Sequence, residues 1–376
     1  MKRKATTRPP EASFDADDVR FMKRCLSLAK RGEGLVSPNP MVGSVVVYKG
    51  KIIGEGWHKK YGEWHAEVNA INSVKNPEFL SKSTLYVNLE PCSHFGKTPP
   101  CSDLIIEKKI PKVVIGCKDP FPKVSGRGIK KLSEAGVEVH FGLLEQESKQ
   151  LNEHFISFHA NHRPFFGIKV AQSLDGRIAT ATKDSKWISS ESARAYAHLL
   201  RSQYDAVMIG TGTALTDNPA LTVRNTKGRN PKRIVLDRKL SIPLHATIFS
   251  NDSPTFLFTS RVNKKHPKIK ALSNKGILIR FVGEKQEGLN IEEISQSLFD
   301  EKILSVLVEG GGKLHASLLK LGLGDKIHIF ISPKIIGGDG TPSIGTLGIK
   351  SISESLSIEQ NVLKVFGDTL LIEGYL

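Results

Sequence analysis

Apolar residues in the first part of the chain form short runs, separated by stretches with helical spacing. Phe21, Cys25 and Leu28 share one helix face, which predicts a helix that Asp17 or Asp18 caps and that ends at Gly32. Further helices are predicted over about 65–75, 128–135 and 144–158, and strands over 44–48, 52–55, 84–89, 112–117 and 137–141. This alternation of strand and helix predicts an α/β layered domain.

A second pattern of the same kind begins after the polar stretch 159–164, where Pro164 disfavours a continuing helix. Ser189 or Ser190 can cap a helix that runs through Ala193, Ala197 and Leu200. Other helices are predicted at 291–302 and about 313–321, and strands at 165–171, 206–209, 233–236, 255–258, 277–282 and 303–308. We therefore expect a basic, disordered tail over residues 1–14, a first domain over 15–162 and a second over 163–376, both α/β.

Composition and charge narrow the function classes. A length of 376 residues is natural for two domains, and 39% hydrophobic content indicates a globular chain. No apolar run approaches the ~18 residues of a membrane span, and the N-terminus lacks the apolar core of a secretory signal, so we expect no membrane contact and a cytoplasmic location. Four cysteines are too few for a disulfide framework.

The net charge of +16 raises the question of a nucleic-acid partner. However, the basic residues are scattered as short pairs without interleaved aromatics, which is typical of a solvated basic surface. We expect no nucleic-acid partner. A positive field would instead favour a phosphorylated small molecule.

One His and two Cys form a candidate catalytic zinc site. His65, Cys92 and Cys101 supply three ligands and leave a fourth position open for water, whereas a structural zinc closes its tetrahedron with protein ligands. Zinc lowers the pKa of such a water to about 7. Glu67, two residues after His65, is the expected proton carrier. Cys25 and Cys117 lie in apolar runs and are expected to be small buried hydrophobes.

The spacing of the two cysteines refines this prediction. Nucleobase deaminases combine H-x-E with P-C-x-x-C, whereas eight residues separate Cys92 from Cys101 here. A looped insertion is therefore expected at the zinc, carrying His94, Lys97 and Thr98, which are suited to holding an anion. A lone H-x-E or Pro-Cys often occurs by chance. All four groups in order, with Asn39 upstream in Ser-Pro-Asn-Pro-Met-Val-Gly-Ser, indicate a deaminase.

A glycine-rich turn marks a second candidate site. Glu309-Gly310-Gly311-Gly312 lies between a predicted strand and a predicted helix, where backbone N–H groups can face a phosphate. This signal is weak alone, because glycines are common in turns and the spacing is not G-x-G-x-x-G. Three other stretches accompany it: Lys-Val-Ala-Gln-Ser-Leu-Asp-Gly-Arg from Lys169, Ser-Lys-Trp-Ile-Ser from Ser185, and the segment from Thr213 to Arg224.

With these stretches, and with Pro-Cys-Ser-His-Phe-Gly-Lys-Thr-Pro-Pro-Cys in the first half, the chain resembles the bifunctional deaminase–reductases of riboflavin biosynthesis from about Asp17 to its end. The resemblance implies a cytidine-deaminase-like α/β/α layered domain, followed by a dihydrofolate-reductase-like α/β domain. It also implies zinc, NADPH and a phosphorylated pyrimidine substrate. Deamination would come first, followed by reduction of the ribosyl group to ribityl. We further expect a homo-oligomer, a dimer or tetramer.

The resemblance also implies roles for individual residues. Contacts to NADPH fall on Ala171, Trp187, Thr213, Asp217, Gly311, Gly312, Lys313, Leu314, His315, Ala316 and Ser317. Contacts to substrate fall on Asn39, His58, His94, Lys97 and Thr98 in the first domain, and on Ser185, Arg201, Leu221, Arg224 and Glu309 in the second. His58, Lys97 and Thr98 would help hold the phosphate in the first site, and Arg201 and Arg224 would clamp it in the second. Lys169 and Asp217 are the expected proton or orientation partners of the reduction.

One departure from the family pattern is Phe121 in Asp-Pro-Phe-Pro, where Asp-Pro-Asn-Pro is common, which puts one local polar contact in doubt. Individual positions also have structural alternatives: Leu221 and Trp187 can be packing residues, and a surface Arg is usually only solvated. Three other functions stay open at this point. They are a nucleoside or nucleic-acid deaminase with an unrelated second domain, a monofunctional deaminase with an inactive reductase domain, and a zinc-stabilised binding protein without catalysis.

Overall fold

The computed structural model describes residues 14–93, 95, 99–121, 125–224, 226–286 and 288–376. The chain divides into two compact units, Met1–Ala160 and Asn161–Leu376. Within the described residues, no helix has the length and apolar character needed to cross a membrane. The sequence placed the boundary after residue 162, immediately past the helix that ends at Asn161.

The first unit alternates helices and strands, as its hydrophobic pattern predicts. Its helices are α1 (Ala16–Ala29), α2 (Ala66–Asn72), α3 (Cys101–Glu107), α4 (Arg127–Glu134), α5 (Glu145–Leu151) and α6 (Glu153–Asn161). Its strands are β1 (Gly43–Tyr48), β2 (Lys51–Trp57), β3 (Thr84–Leu89), β4 (Lys112–Cys117) and β5 (Glu138–Phe141). Short 3-10 helices cover Lys30–Gly32 and Pro77–Lys82.

The sheet of the first unit has the order β2-β1-β3-β4-β5. β1 and β2 form the predicted hairpin, in which Lys49 and Gly50 both adopt positive φ, as a tight hairpin turn requires. β3, β4 and β5 run parallel. One sheet face packs on α2, α3 and α4 through Ile71, Ile105 and Leu132, and the other packs on α1. The expected α/β/α layering is therefore confirmed.

Two predicted helices of this unit differ in the structure. The helix predicted over 144–158 is two helices that meet at Asn152, because the Asn152 side chain bonds both backbone groups of distant Met41, at 2.8 and 2.9 Å. The helix predicted to reach residue 75 ends at Asn72, where Ser73 donates its hydroxyl to the carbonyl of Ala70.

The start of α1 also differs from the prediction. Asp15, not Asp17 or Asp18, is the N-cap: its side chain accepts from the amide of Asp18, while the Asp18 side chain accepts from the amide of Asp15. This reciprocal capping box places Asp17 and Asp18 in the first turn.

The second unit is built around one large sheet. Its helices are α7 (Glu191–Gln203), α8 (Thr211–Asp217), α9 (Lys268–Asn274), α10 (Ile291–Asp300) and α11 (Gly312–Lys320). Its first strands are β6 (Phe165–Ser173), β7 (Arg177–Ala179), β8 (Ala206–Gly210), β9 (Lys232–Leu236), β10 (Thr255–Ser260), β11 (Leu278–Val282), β12 (Glu284–Lys285), β13 (Gly288–Leu289) and β14 (Ser305–Val308). Its last strands are β15 (Lys326–Ser332), β16 (Thr341–Pro342), β17 (Glu359–Phe366) and β18 (Thr369–Tyr375). Short 3-10 helices cover Thr247–Phe249, Arg261–Lys265 and Ile352–Glu354.

The large sheet has the order β11-β10-β9-β8-β14-β6-β15-β18-β17. Seven of its strands run parallel to one another: β6, β8, β9, β10, β11, β14 and β15. At one end of the sheet, β18 pairs antiparallel with β15, and β17 pairs antiparallel with β18. Helix α7 covers one face and helices α10 and α11 cover the other, each through its apolar side chains. In such a sheet, ligands bind beyond the carboxyl ends of the parallel strands. Glu309 and the glycine-rich turn follow β14 at that edge, and α8 follows β8.

Candidate active sites

The three predicted zinc ligands lie together in the first unit. His65 is the residue before α2, Cys92 follows β3, and Cys101 begins α3, so strand and helix ends bring them to one point. His65 Nδ1 lies 3.5 Å from Cys92 Sγ and 3.3 Å from Cys101 Sγ. A tetrahedral zinc, about 2.3 Å from sulfur and about 2.0 Å from nitrogen, separates such atoms by about 3.5 Å. The three ligand atoms therefore fit one zinc ion.

The surroundings of Cys92 favour its thiolate form. Hydrogen bonds from Cys101, including its backbone amide at 3.3 Å, and from His65 hold the pKa of Cys92 well below its usual range. The thiolate is the form that binds zinc, so this environment favours metal binding. In contrast, burial raises the pKa of Cys25 above its usual range and that of Cys117 to about 12. Both behave as the small buried hydrophobes that the sequence predicts.

Glu67 lies in the first turn of α2, beside these ligands. It is only 3% exposed, and burial raises the pKa of its carboxyl to about 7, against the attraction of His65. Within the described residues, the candidate metal set is His65, Cys92 and Cys101, which leaves Glu67 outside it. A buried carboxyl next to an incomplete ligand set has the position that a proton carrier needs.

A second buried carboxylate, Glu90, holds the backbone next to Cys92 and was not identified from the sequence. It is 3% exposed and accepts backbone N–H groups of Gly126, Gly128 and Ile129 at 3.0, 2.9 and 3.2 Å. Gly128 also packs so tightly that an added Cβ would lie 2.1 Å from the carbonyl oxygen of Pro91. Glu90 therefore fixes the start of α4 against the segment that carries Cys92.

Asn39 and His58 form a hydrogen-bonded pair next to His65. Asn39 Nδ2 lies 3.1 Å from His58 Nε2, and His58 Nδ1 lies 3.1 Å from the carbonyl oxygen of Trp64. Both ring nitrogens of His58 are used, its exposure is 2%, and burial lowers its pKa. This environment favours a neutral His58 that orients Asn39 over one that contacts a phosphate.

The other predicted residues of the first site are His94, Lys97 and Thr98, which lie outside the described residues. Phe121, the departure from the family pattern, donates its backbone N–H to Asp119 Oδ1 at 2.7 Å, and its ring packs against His159. The backbone of this turn is therefore held by Asp119, whatever side chain occupies position 121.

In the second unit, a buried ion pair joins two predicted substrate residues. Arg201 Nε and Nη2 donate to the two carboxylate oxygens of Glu309 at 2.6 and 2.8 Å, and the two side chains are 13% and 8% exposed. Burial alone would favour a neutral Glu309, but the Arg201 guanidinium outweighs it and lowers the pKa to about 2. The pair occupies the donors that a bidentate phosphate clamp by Arg201 would use.

Lys169 lies beside this pair. Val308 pairs with Ile168 between β14 and β6, so Glu309 and Lys169 are the next neighbours along the two strands. Burial and the positive charge of Arg201 lower the pKa of Lys169, while Glu309 opposes the shift. The ammonium also lies 5.7 Å from the centre of the Phe330 ring.

The glycine-rich turn and α8 meet at the same edge of the sheet. A Cβ on Gly311 would lie 3.9 Å from Thr213 Oγ1, and a Cβ on Gly312 would lie 2.6 Å from the carbonyl oxygen of Pro342. The side chains of Leu314, His315 and Ala316 are buried, so their part of the predicted cofactor run faces the core. A cofactor at this turn would meet backbone groups of Gly311 and Gly312, exposed Lys313 and half-buried Ser317.

The remaining predicted residues are spread around this edge. Trp187 is 63% exposed, with the Arg194 guanidinium 4.5 Å from its ring centre. Ala171 and Ser185 are half-buried, and Asp217, the last residue of α8, is exposed. Leu221 is 3% exposed and belongs to the apolar core. Its side chain is therefore a packing residue, which is the alternative that the sequence left open. Arg224 is exposed, with its backbone amide bonded to His198.

Family models match both halves of the chain. The one described as cytidine and deoxycytidylate deaminase zinc-binding region matches residues 15–117. The one described as RibD C-terminal domain matches residues 164–372, which is more than half of the chain. The first match covers all three ligand positions, and the second covers the Arg201–Glu309 pair.

Curated relatives and solved structures agree over nearly the full length. The chain is 44% identical to the riboflavin biosynthesis protein RibD of Aquifex aeolicus, covering 94% of this chain and 97% of that one. It is 40% identical to RibD of Actinobacillus pleuropneumoniae, covering 97% of each.

Two solved structures share its fold. One is RibD of Acinetobacter baumannii, with a TM-score of 0.87, 31% identity and coverage of 96% of this chain and 98% of that one. The other is a diaminohydroxyphosphoribosylaminopyrimidine deaminase/5-amino-6-(5-phosphoribosylamino)uracil reductase of Thermotoga maritima, with a TM-score of 0.84, 39% identity and coverage of 95% and 98%. Both expected domain folds are therefore present. The chain belongs to the RibD family of riboflavin biosynthesis enzymes, and it carries the zinc-binding deaminase domain and the reductase domain of that family.

Proposed function

We propose that this enzyme deaminates diaminohydroxyphosphoribosylaminopyrimidine to 5-amino-6-(5-phosphoribosylamino)uracil, and then reduces the ribosyl group of that product to ribityl with NADPH. The observation that carries the first step is the open ligand set of His65, Cys92 and Cys101 with buried Glu67 beside it. The substrate names are those of the Thermotoga maritima relative.

In the first step, bound zinc would supply an activated water and a Lewis acid. Glu67 would take one proton from the attacking water and deliver it to the ring nitrogen. It would then take the remaining hydroxyl proton and deliver it to the departing amino group, so that ammonia leaves and a carbonyl remains. Asn39, oriented by His58, contacts the pyrimidine ribosyl phosphate. His94, Lys97 and Thr98 are proposed to hold the substrate, with Lys97 and Thr98 at its phosphate.

In the second step, NADPH would supply the hydride that reduces the sugar. The proposed cofactor contacts are the backbone of Gly311 and Gly312, with Thr213 opposite them. Other proposed cofactor contacts are Ala171, Trp187, Asp217, Lys313 and Ser317. The substrate contacts are Ser185, Leu221 through its backbone, Arg224 and Glu309. Lys169 delivers the proton that the reduced carbonyl oxygen requires, and Asp217 helps to orient the reactants.

The test of the first step is Glu67→Gln, which keeps the shape of the side chain and removes its proton transfer. We expect ammonia release to fall by at least about 100-fold, because general acid–base catalysis commonly contributes that much. Zinc content should stay at one ion per chain. Glu134→Gln on α4, where the side chain is 67% exposed, is the matched control and should leave both unchanged. Full ammonia release from Glu67→Gln would remove the proposed role.

We also propose that the enzyme acts in the cytoplasm and assembles into a homo-oligomer. All four cysteines are free thiols, which agrees with a reducing compartment. The end strand β17 exposes Val362, Leu363 and Val365, at 49%, 62% and 72%, on a sheet edge that can accept another strand. Light scattering of the purified protein would give its mass, and a monomer would contradict the assembly.

A further inference from the structure

His198 lies where the two predicted substrate arginines meet. It is on α7, one turn before Arg201, and it is half-buried. Its Nδ1 lies 3.0 Å from the carbonyl oxygen of Thr222, 3.3 Å from the amide nitrogen of Arg224 and 3.4 Å from Arg201 Nη1. One ring nitrogen therefore contacts both Arg201, on the same helix, and the backbone of Arg224, on a separate segment.

The hydrogen positions at this junction follow from counting donors and acceptors. Nδ1 of a neutral imidazole either donates or accepts, but not both. The carbonyl of Thr222 already receives a hydrogen bond from Arg201 Nη1 at 3.0 Å. The amide of Arg224 is a donor, and Nδ1 accepts from it at 3.3 Å if the ring hydrogen is on Nε2. In this tautomer, Arg201 Nη1 supplies the hydrogen bond to the Thr222 carbonyl, and His198 Nδ1 accepts from the Arg224 amide.

The surrounding charges maintain this arrangement. Burial lowers the pKa of His198, and the positive charges of Arg201 and Arg224 lower it further, while the Thr222 carbonyl and Glu309 oppose the shift. A neutral ring keeps the lone pair on Nδ1 that the Arg224 amide needs.

The segment that carries Arg224 is irregular, so its place depends on such contacts. Residues 218–224 belong to no helix or strand. Asn218 Oδ1 accepts from the amide of Thr247 at 2.8 Å, and Asn230 Oδ1 accepts from the amide of Val223 at 2.8 Å. Leu221 anchors the middle of the segment in the core. At Arg224 itself, the backbone amide contacts His198.

The Arg201–Glu309 ion pair leaves Arg224 as the arginine that is available to bind a phosphate. Arg201 is engaged with Glu309 and with the carbonyl of Thr222, so its donors point to protein groups. Arg224 is exposed, and its guanidinium can reach a ligand phosphate at this edge of the sheet. The position of Arg224 relative to Lys169 and Glu309 would then set where the phosphorylated end of the substrate binds.

We propose that His198 is a positioning residue of the reduction: by accepting a hydrogen bond from the Arg224 amide, it holds Arg224 where it binds the substrate phosphate. This inference rests on the proposed reductase function. It predicts a defect that depends on the phosphate, because His198 acts through Arg224 and touches neither the hydride donor nor the sugar carbonyl.

The test compares variants that differ in where they place an acceptor. His198→Asn puts its carboxamide oxygen near the position of Nδ1, whereas His198→Gln reaches the position of Nε2 and His198→Ala has no acceptor. With 5-amino-6-(5-phosphoribosylamino)uracil, we expect the KM of the Ala and Gln variants to rise about tenfold, because one hydrogen bond that positions a charged group is lost. The Asn variant should stay within about twofold of the wild type. The KM for NADPH should not change.

The same substrate without its phosphate gives the decisive comparison. All His198 variants should show the KM of the wild type for it, since there is no phosphate for Arg224 to hold. In an Arg224→Gln background, His198→Ala should add no further increase in KM for the phosphorylated substrate. His245→Ala, at an exposed histidine of the same unit, is the matched control.

Several outcomes would overturn the inference. They are an equal KM increase for both substrates, a loss of kcat without a change in KM, or an Asn variant as impaired as the Gln variant. Thermal unfolding of each variant separates these from misfolding, and if the Ala variant does not fold, the Asn and Gln pair decides. A wild-type enzyme that oxidises no NADPH with this substrate would instead remove the reductase proposal itself.

Discussion

Two buried glutamates show how the same side chain is given opposite properties at the two sites. Glu67 is buried without a cation bonded to it, and its pKa rises to about 7. Glu309 is also buried, but Arg201 bonds both of its oxygens, and its pKa falls to about 2. At the residue scale, the first is therefore suited to exchange a proton near neutral pH, whereas the second remains a fixed negative charge beside Lys169.

Replacing Arg201 should lower the unfolding free energy, because Glu309 would then be a buried charge without its partner. Arg201→Gln leaves Glu309 buried without its counter-ion, and breaking such a pair commonly costs about 3–5 kcal/mol. We expect the unfolding free energy of the reductase unit to fall by that amount and NADPH oxidation to be lost. Arg238→Gln, which removes a pair that is about 40% exposed on each side, is the control and should cost less than about 1 kcal/mol. Equal stability of Arg201→Gln and the wild type would show that the pair is not buried in solution.

At the element scale, hydrophobic periodicity predicts the strands better than the helix ends. The strands predicted at 84–89 and 112–117 have those bounds in the structure, because each is mostly apolar and is buried on both faces of the sheet after its first residue. The break at Asn152 could not be predicted, since its partner Met41 is distant in sequence. Helices α3, α8 and α9, the short strands β7, β12 and β13, and the strands from β15 onward were not predicted. In β15 the signal was present, since Ile327, Ile329 and Ile331 alternate with period two.

Asn152→Ala tests whether that break is held by the contact with Met41. The substitution removes two hydrogen bonds at a residue that is 2% exposed and leaves the backbone groups of half-buried Met41 with fewer partners. We expect the deaminase unit to lose about 1–3 kcal/mol of unfolding free energy in urea titrations. Asn72→Ala, at an exposed position at the end of α2, should change stability by less than about 0.5 kcal/mol. If both variants are equally stable, the Met41 contact does not hold the break.

The sites differ in how far the sequence could specify them. The zinc ligands and Glu67 follow from residue type and spacing, because few chemistries use one His, two Cys and a free Glu in this order. Glu90 and His198 were missed, since their roles lie in backbone contacts with distant segments. The position of His198 one turn before Arg201 was the one signal available.

At the scale of the whole molecule, two compact units each carry one candidate site. The zinc ligands all lie in the unit Met1–Ala160, and Lys169, Arg201 and Glu309 all lie in the unit Asn161–Leu376. The two activities should therefore be separable by a treatment that affects only the metal.

Zinc removal is that treatment. After dialysis against a chelator, we expect ammonia release to be abolished while NADPH oxidation with supplied 5-amino-6-(5-phosphoribosylamino)uracil continues at the rate of the untreated enzyme. Adding zinc back should restore ammonia release, because the three ligands fit one ion. A parallel loss of both activities, with both restored by zinc, would mean that the reductase unit also depends on the metal.

The most direct measurement of the central claim is one assay of the wild-type enzyme with diaminohydroxyphosphoribosylaminopyrimidine and NADPH, in which ammonia and NADPH are followed together. We predict that ammonia appears first and that one NADPH is then oxidised for each ammonia released. Ammonia release without NADPH oxidation would contradict the claim of two consecutive reactions on one chain and leave a monofunctional deaminase.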